Sequence, residues 1–198
     1  MNAENLYARK FGLNEYRIPP EEREKLDEWK EQAQAIIDIL LVEPFDQENV
    51  KAELNAKGIF SSVLDSALSR VNSENYDLNK RKLLAIGLWI DSVKGQWRWV
   101  SSVMKVALGG EHKLSQALKG TGSANCIDTA VMTQVMCQEF GIAGEVKTLS
   151  EKTPHHYFIA ETGEVVDIWK GKQRGGLYLD YTDYDKNRSR TFDHPCDR

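Results

Sequence analysis

The sequence predicts an α+β fold in which helices come first and an antiparallel sheet comes last. Three observations carry that prediction. As far as residue 120, apolar residues recur at three- and four-residue steps. A second helical pattern, Ile127 to Phe140, stops at Gly141. Beyond it, short runs rich in aromatic and β-branched residues are separated by glycine-containing turns.

Pro19 and Pro20 precede an amphipathic stretch with Leu26, Trp29, Ala33, Ile36, Ile37 and Leu40 on one face, and Pro44 ends it. Asp46 is placed to cap a second helix running to about Ala56, with Gly58 as its stop. Phe60, Val63, Leu64, Ala67, Leu68 and Val71 share the face of a third. Asn79 is placed to cap a longer fourth element, from Leu83 through Trp89 and Ile90 to Trp97, Trp99 and Val106. Gly87 and Gly95 are its points of bending or division, and Gly109 and Gly110 end it. A short helix, Glu111 to Leu118, leads into the small run Gly120 to Asn125. After Gly141, Ala143 to Leu149 reads as a strand. Pro154 precedes the next, His156 to Ala160, with Thr162-Gly163 as a turn and Glu164 to Trp169 as the return strand. Gly171, Gly175 and Gly176 mark a loop, Leu177 to Tyr181 a further strand, and Thr182 to Arg198 an irregular tail. The expected organisation is a mainly helical portion, residues 1–110, packed on a core of residues 111–198.

A chain of 198 residues has room for a small catalytic domain with a helical appendage. Its net charge of −4 and pI near 5.7 argue against a binder of nucleic acid or anionic membrane. The start Met1-Asn2-Ala3-Glu4 has neither a basic region nor an apolar leader. The most apolar run, Ala35 to Val42, contains Asp38 and falls far short of the ~20 residues needed to span a bilayer. Three cysteines without a CxxC pair predict free thiols in a reducing compartment. A cytoplasmic protein is expected, with delivery by a route lacking a cleavable signal left open.

Cys126 carries the chemistry. It stands at the start of the helical pattern that follows the small run, where unpaired N–H groups and the positive dipole end favour a thiolate over a thiol of ordinary pKa ~8.5. Some thirty residues on come His155 and His156, and Asp167 lies on the return strand. A thiolate attacks an amide carbonyl, an imidazole protonates the departing amine, and a carboxylate orients the imidazole. With a two-residue turn at Thr162-Gly163, Phe158 opposes Asp167, so Asp167 shares a face with Phe158 and His156. His156 is therefore preferred as the base; a three-residue loop or a bulge would favour His155.

These residues resemble a known group. Gly122-x-x-x-Cys126-x-Asp128-x-Ala130, a helix ending in Phe140-Gly141-Ile142-Ala143, then His156 and a hairpin to Asp167, is similar to the transglutaminase-like superfamily of papain-like cysteine enzymes. The resemblance covers Lys119 to Lys170, about a quarter of the chain. It implies a core in which the nucleophile helix packs on a small antiparallel sheet. It also implies Cys126 as nucleophile, His156 as general acid and base, and Asp167 as the orienting carboxylate. The reaction implied is acyl transfer through a thioester: peptide hydrolysis, glutamine deamidation or transamidation of a peptide or protein substrate, with no cofactor and no metal. The helical first part has no counterpart in the resemblance. Candidates for the oxyanion donor are the backbone N–H of Cys126 and the side chains of Gln96, Trp97 and Gln116.

Other features have plainer readings. Cys137 lies eleven residues after Cys126, ~16.5 Å along a helix, and reads as a core residue. Cys196 reads as an incidental thiol. His194-Pro195-Cys196 lacks the companions of a zinc site. Asp128 suits the dipole of a first helical turn. Ser123 is not in a G-x-S-x-G elbow, and Gly171 to Gly176 lacks the end of a phosphate loop. Trp89, Trp97 and Trp99 read as core. The helix from Pro20 to Val42 is open to a protein partner. Two rivals to the enzyme remain: an inert binding or regulatory module of the same fold, and a metal-binding protein using His155, His156 and a thiolate.

Overall fold

The computed structural model describes residues 20–59, 64, 68, 69, 71, 77–93, 98–99, 123–124, 126–149, 155–168 and 176–178. Helix α1, Pro20–Leu40, buries Leu26, Trp29, Ala33, Ile36, Ile37 and Leu40, the stripe its spacing predicts. The Glu43–Pro44 peptide is cis in the turn that follows. Helix α2, Gln47–Ala56, is capped by Asp46, whose carboxylate accepts from Glu48 N at 3.0 Å and Asn49 N at 3.2 Å. Gly58, at φ 76°, ends it in a Schellman turn with Ile59 N donating to Leu54 O at 2.9 Å. Of the third expected helix, Leu64, Leu68, Ser69 and Val71 are described. All four are helical, and the three apolar ones are buried.

Helix α3, Leu78–Val93, departs from expectation at both ends. Its cap is Asp77, whose Oδ1 accepts from Lys80 N at 2.9 Å, because that places a side-chain oxygen before the first free N–H groups. Its described span ends at Val93, and the point of division expected at Gly95 lies outside the described residues. Arg98–Trp99 instead form strand β1, paired in parallel with β2, Ser123–Ala124, in the register Arg98–Ser123 and Trp99–Ala124. The small run before Cys126 is thus partly a strand. The helix runs through Gly87 without division.

Helix α4, Cys126–Glu139, ends where the sequence predicts. Gly141 adopts φ 73°, Ile142 N donates to Cys137 O at 2.8 Å and Gly141 N to Gln138 O at 3.1 Å. Four antiparallel strands follow in sheet order: β3 Gly144–Leu149, β4 His155–Ala160, β5 Val165–Asp167 and β6 Gly176–Tyr178. The class is α+β.

The β4–β5 hairpin differs from expectation by one residue. Ala160 N donates to Glu164 O at 2.9 Å and Gly163 N to Ala160 O at 2.9 Å, leaving a three-residue loop, Glu161, Thr162 and Gly163. Gly163 takes φ 102°, which makes room for the third loop residue. The pairs are Ile159–Val165 and Phe158–Val166. One continuous apolar core fills one side of the sheet. Phe158, Ala160, Val166 and Ile168 face it, together with Val131, Met132, Val135, Met136 and Cys137 of α4 and most of α3. Helix α4 lies over β3, β4 and β5, and α3 over β5 and β6, with α1 packed on α3. Trp89 is core, as expected, meeting Trp29 edge-on at 5.1 Å between ring centroids. The opposite side of the sheet carries a smaller buried cluster of Tyr157 and Val165, edged by Ile159. Among the described residues no helix is long and apolar enough to cross a membrane.

Candidate active site

Cys126 opens α4 and is buried. From Asp128 to Cys137 that helix is buried on every side, with Asp128, Thr129, Thr133 and Gln134 buried among its apolar residues. The N–H groups of the first turn and the positive end of the dipole stand beside the sulfur-bearing residue. Asp128, in the same turn, is buried too, a placement the dipole favours.

Two polar ties set the direction of α4 across the sheet. Thr129, in the first turn, directs Oγ1 to Ile168 O at 3.3 Å, just past the end of β5. Gln134, farther along, donates from Nε2 to Gly144 O at 3.3 Å, and Gly144 pairs with Ala160. The helix therefore starts at the His156 end of β4 and runs toward its Ala160 end. His156 is buried and alternates in phase with Phe158 and Ala160, both in the core that α4 covers. The Cys126 turn and His156 thus come to the same end of the same layer.

Asp167 is placed differently. Its neighbours Val166 and Ile168 both face the main core, and Val165 belongs to the Tyr157 cluster. Alternation sets Asp167, itself buried, on the side of Val165 and Tyr157, away from Phe158 and His156. This corrects the expected hairpin: the added loop residue shifts the pairing by one, and every side chain of β5 changes face relative to β4. It is the arrangement that the sequence reading tied to His155. His155 pairs with Leu149 through its backbone, and its side chain lies outside the described set.

Cys137 is fully buried, and burial pushes its thiol far above the ordinary range. Neither Cys126 nor Cys137 forms a disulfide. Among the described residues no three His, Cys, Asp or Glu side chains gather as a metal site. Gln96, Trp97, Gln116, His194 and Cys196 lie outside the described residues, as do the side chains of Trp99 and Ser123. The β1–β2 pair brings the backbone of Arg98 and Trp99 beside the strand that leads into Cys126. Sequence reasoning missed Thr129, whose hydroxyl bridges α4 and β5, and Asp91, buried near the end of α3. The signals were there: a threonine in the first turn of a helix with no polar face, and an acid inside the apolar run Leu83 to Val93.

An α+β protein with a cysteine at the start of a buried helix is the class these observations define. Comparison with protein-family models, curated proteins and solved structures finds no match to this chain.

Proposed function

We propose that the chain is a cysteine-dependent acyl-transfer enzyme of transglutaminase-like, papain-like design, acting on amide bonds of a peptide or protein. Cys126 is the nucleophile and His156 the general acid and base. The observation that carries this reading is the direction of α4, which sets its N-terminal turn at the His156 end of the sheet face it covers.

In the reaction the Cys126 sulfur bonds to the amide carbon, and the carbonyl oxygen gains the electron pair. Backbone N–H groups at the start of α4 suit that charge. The tetrahedral species then breaks its C–N bond as the imidazolium gives its proton to the amine, leaving a thioester. Water or a second amine attacks the thioester and loses its proton to His156. The carboxylic acid or new amide departs, and the thiolate is restored. Asp167, the expected orienting carboxylate, lies on the face of the hairpin opposite His156 and takes no part in this reading.

One observation favours the rival reading, an inert binding or regulatory module. Asp167 and His156 stand on opposite faces in the hairpin register. Iodoacetamide labelling separates the two readings. The enzyme alkylates at Cys126 near pH 6 far faster than at Cys137 or Cys196, and Cys126→Ala abolishes turnover while the fold survives. Equal, slow labelling of all three thiols overturns the enzyme.

A further inference from the structure

The Thr129 hydroxyl is buried and addresses two carbonyl oxygens at once, Cys126 O at 3.1 Å and Ile168 O at 3.3 Å. It has one proton for both. Cys126 O, in the first turn of an α-helix, is already the acceptor for the N–H four residues on. Ile168 O is therefore the acceptor through which Thr129 reaches β5. The β4–β5 pairs end at Phe158–Val166, and Ile168 lies two residues beyond. At that point the hydroxyl joins β5 to the helix that begins with Cys126.

Resting on the acyl-transfer reading, we infer that Thr129 is a positioning residue: its hydroxyl clamps the Cys126 turn to the end of β5 and so sets how closely sulfur and imidazole approach. Its effect is exerted through the backbone of the Cys126 turn and of Ile168. An isosteric side chain without the hydroxyl removes this tie and lets the turn drift from the strand. A thiolate held by a nearby imidazolium then loses part of its stabilisation. Among the described residues, the buried titratable groups on the elements around that turn are His156 and Tyr157 of β4, Glu164 and Asp167 at β5, Asp91 of α3, and Asp128 and Cys137 of α4.

The test is the pH profile of Cys126 alkylation by iodoacetamide in the full chain, with the adduct mapped by mass spectrometry. Thr129→Val is compared with the parent, and Thr129→Ala with Thr129→Ser; each pair differs by the hydroxyl, and the second serves if the valine variant does not fold. In the parent, Cys126 reacts with a midpoint below pH 7. Loss of the hydroxyl raises the midpoint by about one unit and slows alkylation by about tenfold at pH values below the parental midpoint. Thr129→Ser keeps the profile near the parent's. A low parental midpoint that neither pair moves overturns the clamp and leaves the acyl-transfer reading standing, even if melting temperatures fall. A parental midpoint in the ordinary thiol range of about 8.5 overturns both.

Discussion

Replacing Gly144 with alanine tests how closely β3 is drawn against β4, the strand that carries His156. An ideal Cβ at this position would lie 2.5 Å from the backbone oxygen of Ile159 and 2.8 Å from Phe158 Cε2, and closer still to Phe158 Cζ. Carbon and oxygen meet comfortably at about 3.3 Å or more. The strands must therefore separate by several tenths of an ångström, or the ring must leave its place in the core. Rotation of Phe158 relieves the ring contact, but the Ile159 carbonyl belongs to the β3–β4 ladder and cannot swing away. Overpacking of this kind costs about 1–3 kcal/mol. The lower entropy of the unfolded alanine chain returns less than about 1 kcal/mol. A net loss near 2 kcal/mol lowers the melting temperature of a chain of this size by about 4–8 °C. Urea and thermal unfolding followed by circular dichroism measure it. Phe158→Leu in the same background relieves the ring contact and leaves the carbonyl contact, so it recovers part of the loss. A Gly144→Ala variant within about 0.5 kcal/mol of the parent refutes the close approach.

Gly87→Ala should act in the opposite direction. The new Cβ meets Val166 Cγ1 at 3.7 Å, an ordinary contact, and a mid-helix glycine costs about 0.5–1 kcal/mol relative to alanine, so the melting temperature rises. Cys137 should make stability fall in alkali. Its folded thiol stays protonated where an unfolded cysteine ionises, so its contribution is complete below about pH 8.5 and declines above, by up to about 1.4 kcal/mol per pH unit. Urea midpoints from pH 7 to 10 in the parent and in Cys137→Ala read this, and equal slopes contradict it. Asp167→Asn separates the hairpin register from a triad. A carboxylate that orients the imidazole directly is worth about 10⁴ in rate. From the Tyr157 face, the change should lower the melting temperature while Cys126 alkylation near pH 6 stays within about tenfold of the parent. A collapse of alkylation in a variant of unchanged stability would put Asp167 against His156.

Local signals carried well from sequence to structure. The buried stripe of α1, the Asp46 cap of α2 and the stops at Gly58 and Gly141 depend on residues within one or two turns, and all four appear as read. The α3 cap moved from Asn79 to Asp77 because both residues suit an N-cap and the choice between them lies in where the helix packs. The β1–β2 pair was not legible. Each strand is two residues long, and their pairing joins segments more than twenty residues apart with no periodicity to announce it. The start and end of α4 could be read, but its direction over the sheet could not, since the ties from Thr129 and Gln134 end on backbone carbonyls with no sequence signature.

These two kinds of information bear unequally on the site. The relation of Cys126 to His156 depends on the direction of α4, fixed by the ties from Thr129 and Gln134, and on the face of β4, fixed by the burial of Phe158 and Ala160 in the core that α4 covers. The relation of His156 to Asp167 depends on parity across a hairpin, which one loop residue reverses. Thr162-Gly163 suits a two-residue turn, yet Gly163 at φ 102° serves equally as the third residue of a longer loop, and the sequence does not distinguish them. What separates the alternatives is burial on both sides of β5. Val166 and Ile168 enter the main core beneath the helices, Val165 joins Tyr157 on the other side, and Asp167 between them has no choice of face. The proposed chemistry therefore rests on the Cys126 turn and His156, with Asp167 held on the opposite face of the hairpin.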